Sequence, residues 1–60
     1  MKASATDYGV QAVCLRADGE LLEAAKLFRI AAQKSSHPAV KAQYLKNEKR
    51  CLQRAAGRTT

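Results

Sequence analysis

Apolar positions in this chain recur at a helical period and nowhere at the period of a strand. The clearest stretch is DGELLEAAKLFRIAA, from Asp18 to Ala32. Set at about 3.6 residues per turn, Leu21, Ala24, Ala25, Leu27, Phe28, Ala31 and Ala32 fall in one arc. Glu23, Lys26, Arg29 and Gln33 fall opposite. Small side chains alternate with bulky ones in the arc. A neighbouring helix can therefore approach the alanines while Leu27 and Phe28 fill the gaps. The pattern predicts a helix over about residues 20–34, with Glu20 and Glu23 at its N-terminal end, where the helix dipole favours negative charge.

Upstream, a first helix is predicted over about residues 7–17. Ser4 or Thr6 can cap it, and Asp7 stands where a capping box would place its carboxylate. Its apolar residues lie on two sides: Val10, Val13, Cys14 and Ala17 on one, Tyr8, Ala12 and Leu15 on the other. A helix apolar on two sides is expected to be sandwiched between neighbours. Asp18-Gly19 is a turn signal, and Gly19 can adopt the positive φ that ends a helix. So short a connection reverses the chain into an antiparallel hairpin.

Lys34-Ser35-Ser36-His37-Pro38 breaks the second helix. Pro38 suits the first turn of a third, with Ser36 or His37 as cap. This third helix is predicted over about residues 38–55. Val40, Tyr44, Leu45, Cys51, Leu52 and Ala55 share one arc of it. Lys46, Lys49, Arg50 and Arg54, with Gln43, Asn47 and Gln53, take the other side. Gly57 closes it, leaving residues 1–5 and 57–60 as expected loose tails. The expectation is one all-α domain over residues 1–60, a small three-helix antiparallel bundle.

Composition narrows the picture. A chain of 60 residues buries only about 60% of its unfolded surface on folding. Much of its apolar content is alanine, and the large core formers are few: one Phe, two Tyr and no Trp. A thin core is expected, with an apolar face left for something else to cover. The formal net charge is +6, which suits acidic proteins, nucleic acid or an anionic surface without choosing among them. No apolar run approaches the roughly 20 residues of a membrane span, and the N-terminus has no secretory pattern. The expected setting is intracellular and cytoplasmic, with Cys14 and Cys51 as buried free thiols on apolar faces. A disulfide between the first and third helices is the alternative. One His and two distant Cys fit no metal spacing, and no nucleophile–base constellation exists. Neither an enzyme nor a bound metal or cofactor is expected.

Residues Tyr8 to Ala31 resemble a tetratricopeptide repeat. Gly19 stands at the turn glycine, Leu21 at the following aromatic, Ala24 at the tight-packing alanine, Phe28 at the large residue and Ala31 at the last small one. Tyr8, Ala12 and Leu15 fill the first-helix places. With its third helix the chain also resembles a microtubule-interacting and trafficking (MIT) domain. That family is a three-helix bundle whose middle helix carries a similar pattern, and Leu52-Gln53-Arg54-Ala55 is similar to its third-helix ending. Either resemblance implies protein binding. The MIT resemblance implies a peptide groove beside the third helix, at Tyr44, Leu45, Glu48 and Leu52, with Leu22 and Ile30 from the second helix.

Each candidate has a plainer reading. Lys46, Lys49, Arg50 and Arg54 form a basic face that is a solvated surface, a contact for an acidic protein, or a phosphate contact for RNA. Glu48 is a boundary carboxylate paired with a neighbouring cation, or the anchor for a basic residue of a bound peptide. Leu22 and Ile30 lie outside the core arc of their helix. They are covered by the third helix, or they meet a peptide or a second copy. The function expected is a protein–protein interaction module or adaptor within a larger assembly. The alternative is a small basic RNA-binding subunit of a ribonucleoprotein.

Overall fold

The computed structural model describes residues 4–57. It contains three α-helices, α1 (Ala5–Ala17), α2 (Leu21–Lys34) and α3 (Pro38–Gly57), and no strand among the described residues. The all-α three-helix bundle expected from the sequence is what forms.

Local chemistry sets each boundary. The Ser4 hydroxyl accepts from the Asp7 N–H at 3.3 Å, and the Asp7 carboxylate accepts from the Ser4 N–H at 3.0 Å. This reciprocal capping box fixes Ser4, rather than Thr6, as the cap and starts α1 at Ala5, earlier than expected. Of the expected N-terminal tail, residues 1–3 lie outside the described residues.

At the other end of α1, Gly19 takes φ 88°. The Glu20 N–H donates to the Leu15 carbonyl at 2.9 Å and the Gly19 N–H to the Arg16 carbonyl at 3.1 Å. These two bonds make a Schellman cap, which turns the chain back within a few residues.

The second reversal uses a serine. The Ser35 hydroxyl accepts from the His37 N–H at 3.3 Å, so Ser35, not Ser36, supplies the side-chain bond of this connection. Pro38 then begins α3, and the Lys41 N–H donates to the His37 carbonyl at 2.9 Å. Proline suits this place because its missing N–H would have no helical partner there. Helix α3 continues to Gly57, beyond the expected end at Ala55. Residues 58–60 of the expected C-terminal tail lie outside the described residues.

Two reversals leave α1 and α3 parallel, both packed on α2. Helix α2 packs against both, whereas α1 and α3 share little direct contact. The molecule extends 38 × 23 × 12 Å along its principal axes. Its core is most of the predicted arc of α2: Leu21, Ala24, Ala25, Phe28, Ala31 and Ala32 are buried, and Leu27 is half-buried against them. Ala12 of α1 and Cys51 of α3 complete it. Phe28 and Cys51 are the largest fully buried side chains.

Two expectations are corrected. Helix α1 is not sandwiched: Val10 and Val13 are 57% and 45% exposed, because α1 packs mainly on α2 and that side has no covering helix. For the same reason Cys14 is exposed, and only Cys51 is a buried thiol. Both cysteines are free, so no disulfide staples α1 to α3.

Candidate functional site

The six residues proposed for a peptide groove do not form one site. Leu22, Leu45 and Leu52 are exposed and Ile30 is half-buried. Leu22 and Ile30 belong to α2, and Leu45 and Leu52 to α3. Glu48 of α3 has a side chain only 17% exposed, and its carboxylate stands 3.7 Å from the Arg29 guanidinium of α2. That ion pair bridges α2 and α3, so the neighbouring cation of Glu48 is Arg29. Leu22 borders a shallow hollow of about 240 Å³ with Gly19, Glu20 and Ala55.

Tyr44 works elsewhere. Its ring reaches across to α1 and lies over Gly9: a β-carbon at that position would be 2.7 Å from the Tyr44 hydroxyl oxygen. The Tyr44 and Phe28 ring centroids are 6.4 Å apart, tilted by 32°. This contact joins α1 to α3 over the core, and beside it a groove opens between the two helices. The groove encloses about 340 Å³. Val10, Val13 and Cys14 line it from α1, Tyr44 and Asn47 from α3, and Phe28 forms its floor. The residues are apolar or weakly polar, and none is formally charged.

Along the same two helices, towards their C-termini, the chemistry changes. A second recess of about 350 Å³ is lined by Arg16 of α1 and by Arg50, Cys51, Gln53 and Arg54 of α3. Helical spacing makes it a continuation of the groove. Arg16 follows Val13 by one turn on α1, and Cys51 and Arg54 follow Asn47 by one and two turns on α3. Phe28 links the two regions, since the Arg16 guanidinium carbon lies 5.8 Å from its ring centroid.

The basic face predicted on α3 is thus divided. Lys46, Lys49, Arg50 and Arg54 are all exposed. Only the two arginines border the recess, where they meet Arg16. Sequence reasoning missed Arg16, because nothing in its own helix marks it. Its role follows from α1 and α3 running parallel, which two successive chain reversals imply. Among the described residues the ion pairs are Lys26–Glu23 and Arg29–Glu48. Among the described residues no carboxylate pairs with Arg16, Arg50 or Arg54.

Among the described residues no group of three or more His, Cys, Asp or Glu side chains is placed to hold a metal ion. No helix among them is long and apolar enough to cross a membrane. No family model, curated protein or solved structure is significantly similar to this chain.

Proposed function

We propose that the chain is a protein-interaction module of the tetratricopeptide or MIT type, which holds an amphipathic segment of a protein partner in the groove between α1 and α3. It would act as a subunit or adaptor in a larger assembly. The observation that carries this reading is the exposure of Val10 and Val13 beside an uncharged groove. Full burial of a valine side chain stabilises by roughly 1.5–3 kcal/mol relative to leaving it exposed. The protein leaves part of that unrealised at two adjacent positions, and an apolar ligand face would recover it.

The thin core supports the same reading. A ligand that binds only the folded chain adds to its stability by mass action. The tetratricopeptide resemblance gains support from the burial of Ala24, Phe28 and Ala31 and from the positive φ of Gly19. The α2–α3 side, with Leu22, Ile30, Leu45 and Leu52, is a second apolar surface and the place for contact with a second copy or another subunit.

A second reading, an RNA-binding subunit, rests on the four exposed cations Lys46, Lys49, Arg50 and Arg54 of α3. No aromatic ring is interleaved with them, so they would meet phosphates and not bases.

Photocrosslinking separates the two. A benzophenone amino acid placed at Val13 should give protein adducts resistant to nuclease. Nuclease-sensitive adducts from position 49, with none from position 13, would establish the RNA reading instead.

A further inference from the structure

The arginine recess has a composition that solvation alone does not explain. Arg16, Arg50 and Arg54 come from two helices and border one concavity, and no carboxylate pairs with any of them among the described residues. Arg50 and Arg54 also stand four apart on α3, a spacing at which like charges repel. The helix dipole accounts for part of this, because Arg16 and Arg54 lie in the last turns of α1 and α3. It does not account for Arg50, which lies earlier in α3, nor for the convergence of all three.

We propose that this recess is a phosphomonoester site, in which Arg16, Arg50 and Arg54 hold a phosphate carried on a side chain of the protein segment that occupies the adjoining groove. The proposal deepens the groove reading above and rests on it.

Charge and geometry favour a phosphate over a single carboxylate. Each guanidinium presents a planar fork of donors that matches two oxygens of one anion. A carboxylate has two oxygens and one charge, so one arginine nearly satisfies it. A phosphomonoester carries close to two charges at neutral pH and three terminal oxygens. It can engage three forks arranged around it, and Gln53 adds an amide donor at the rim. A nucleic-acid phosphate fits less well. It carries one charge and two free oxygens, and the flanking groove offers valines where bases would need stacking partners.

Nuclear magnetic resonance of the full chain tests this, reading the arginine side-chain Nε–H signals together with the valine methyls. Four probes are titrated at constant ionic strength: inorganic phosphate, succinate, a leucine-rich amphipathic peptide bearing one phosphoserine, and the same peptide unphosphorylated. The expected result is saturable movement of the Arg16, Arg50 and Arg54 signals with phosphate and with the phosphopeptide, but not with succinate. The phosphopeptide should also move the Val10 and Val13 methyls. It should bind at least about tenfold more tightly than its unphosphorylated form, as expected for charge-assisted bonds.

Arg50→Gln with Arg54→Gln should remove that preference while helicity by circular dichroism is unchanged. Retention of the preference in this variant overturns the proposal. So does equal response to succinate, or a response to phosphate that leaves the valine methyls still with the phosphopeptide. If both peptides move the valine methyls equally and the arginines stay silent, the phosphate site falls and the groove reading stands. If neither peptide moves the methyls, the groove reading falls with it.

Discussion

The phenol of Tyr44 lies on the backbone of Gly9, so close that a β-carbon there would sit 2.7 Å from the ring carbon Cε1. This contact joins α1 to α3 beside the groove, and it determines how a substitution at Gly9 behaves. Alanine in place of glycine favours a helix by up to about 1 kcal/mol, while forcing a methyl group into a filled space costs roughly 1–3 kcal/mol. The steric term should win while Tyr44 is present. Gly9→Ala is expected to destabilise the chain, and to stabilise it when Tyr44→Ala is already in place. Urea denaturation of the four proteins of this double-mutant cycle checks the change of sign. Equal effects in both backgrounds would show that the ring does not rest there.

Phe28 should be the residue the fold tolerates losing least. It is fully buried at the centre of α2 and touches elements from both flanking helices. Truncation of a core Phe to Ala costs about 3–5 kcal/mol, which is a large share of the stability a chain this small can have. Phe28→Ala is expected to abolish the cooperative thermal transition seen by circular dichroism. A transition that persists near the parent midpoint would mean the core lies elsewhere.

Ser4→Ala removes one half of the capping box and leaves the Asp7 N–H without its partner. Loss of such a cap costs about 0.5–2 kcal/mol. The expected effect is a lower melting temperature, with faster amide exchange confined to the first turn of α1. Thr6→Ala should do much less, since Ser4 and not Thr6 is the cap.

The Arg29–Glu48 pair should contribute little to stability. Arg29 is 68% exposed, so the interaction is screened, and pairs of that kind contribute about 1 kcal/mol or less. Glu48→Gln is therefore expected to leave the denaturation midpoint almost unmoved, with what difference there is vanishing in high salt. If Glu48 instead anchors a basic residue of a partner, the same substitution would weaken partner binding far more than folding. Denaturation and binding measurements on one variant decide between these roles.

Much of this architecture is legible in the order of residues. The alanine-rich arc of α2 marks its buried face, because the period of the helix fixes which positions share a side. Gly19 and Pro38 mark the reversals through backbone constraints that need no tertiary information.

The surroundings of α1 are not legible in the same way. Its apolar residues are spread over two sides, and period alone cannot say which side a neighbour covers. The structure leaves Val10, Val13 and Cys14 outside because α2 covers the other side of α1 and no further helix covers this one. The site has the same origin. The sequence pattern groups Leu22, Ile30, Tyr44, Leu45, Glu48 and Leu52 from α2 and α3 alone, whereas Tyr44 reaches α1. The groove and the arginine recess arise between α1 and α3, far apart in sequence and made neighbours only by the packing of both on α2.

The central claim is that the α1–α3 groove, and not the α2–α3 side, receives the partner. The most direct measurement compares two variants of the full chain for capture of one partner protein, identified first with the parent chain and quantified by mass spectrometry. One variant carries Val10→Asp with Val13→Asp, the other Leu22→Asp with Leu52→Asp, and both pairs of positions are exposed, so helicity should survive in each. The first variant should lose the partner and the second retain it. Loss only in the second, with the valine variant still bound, would contradict the claim.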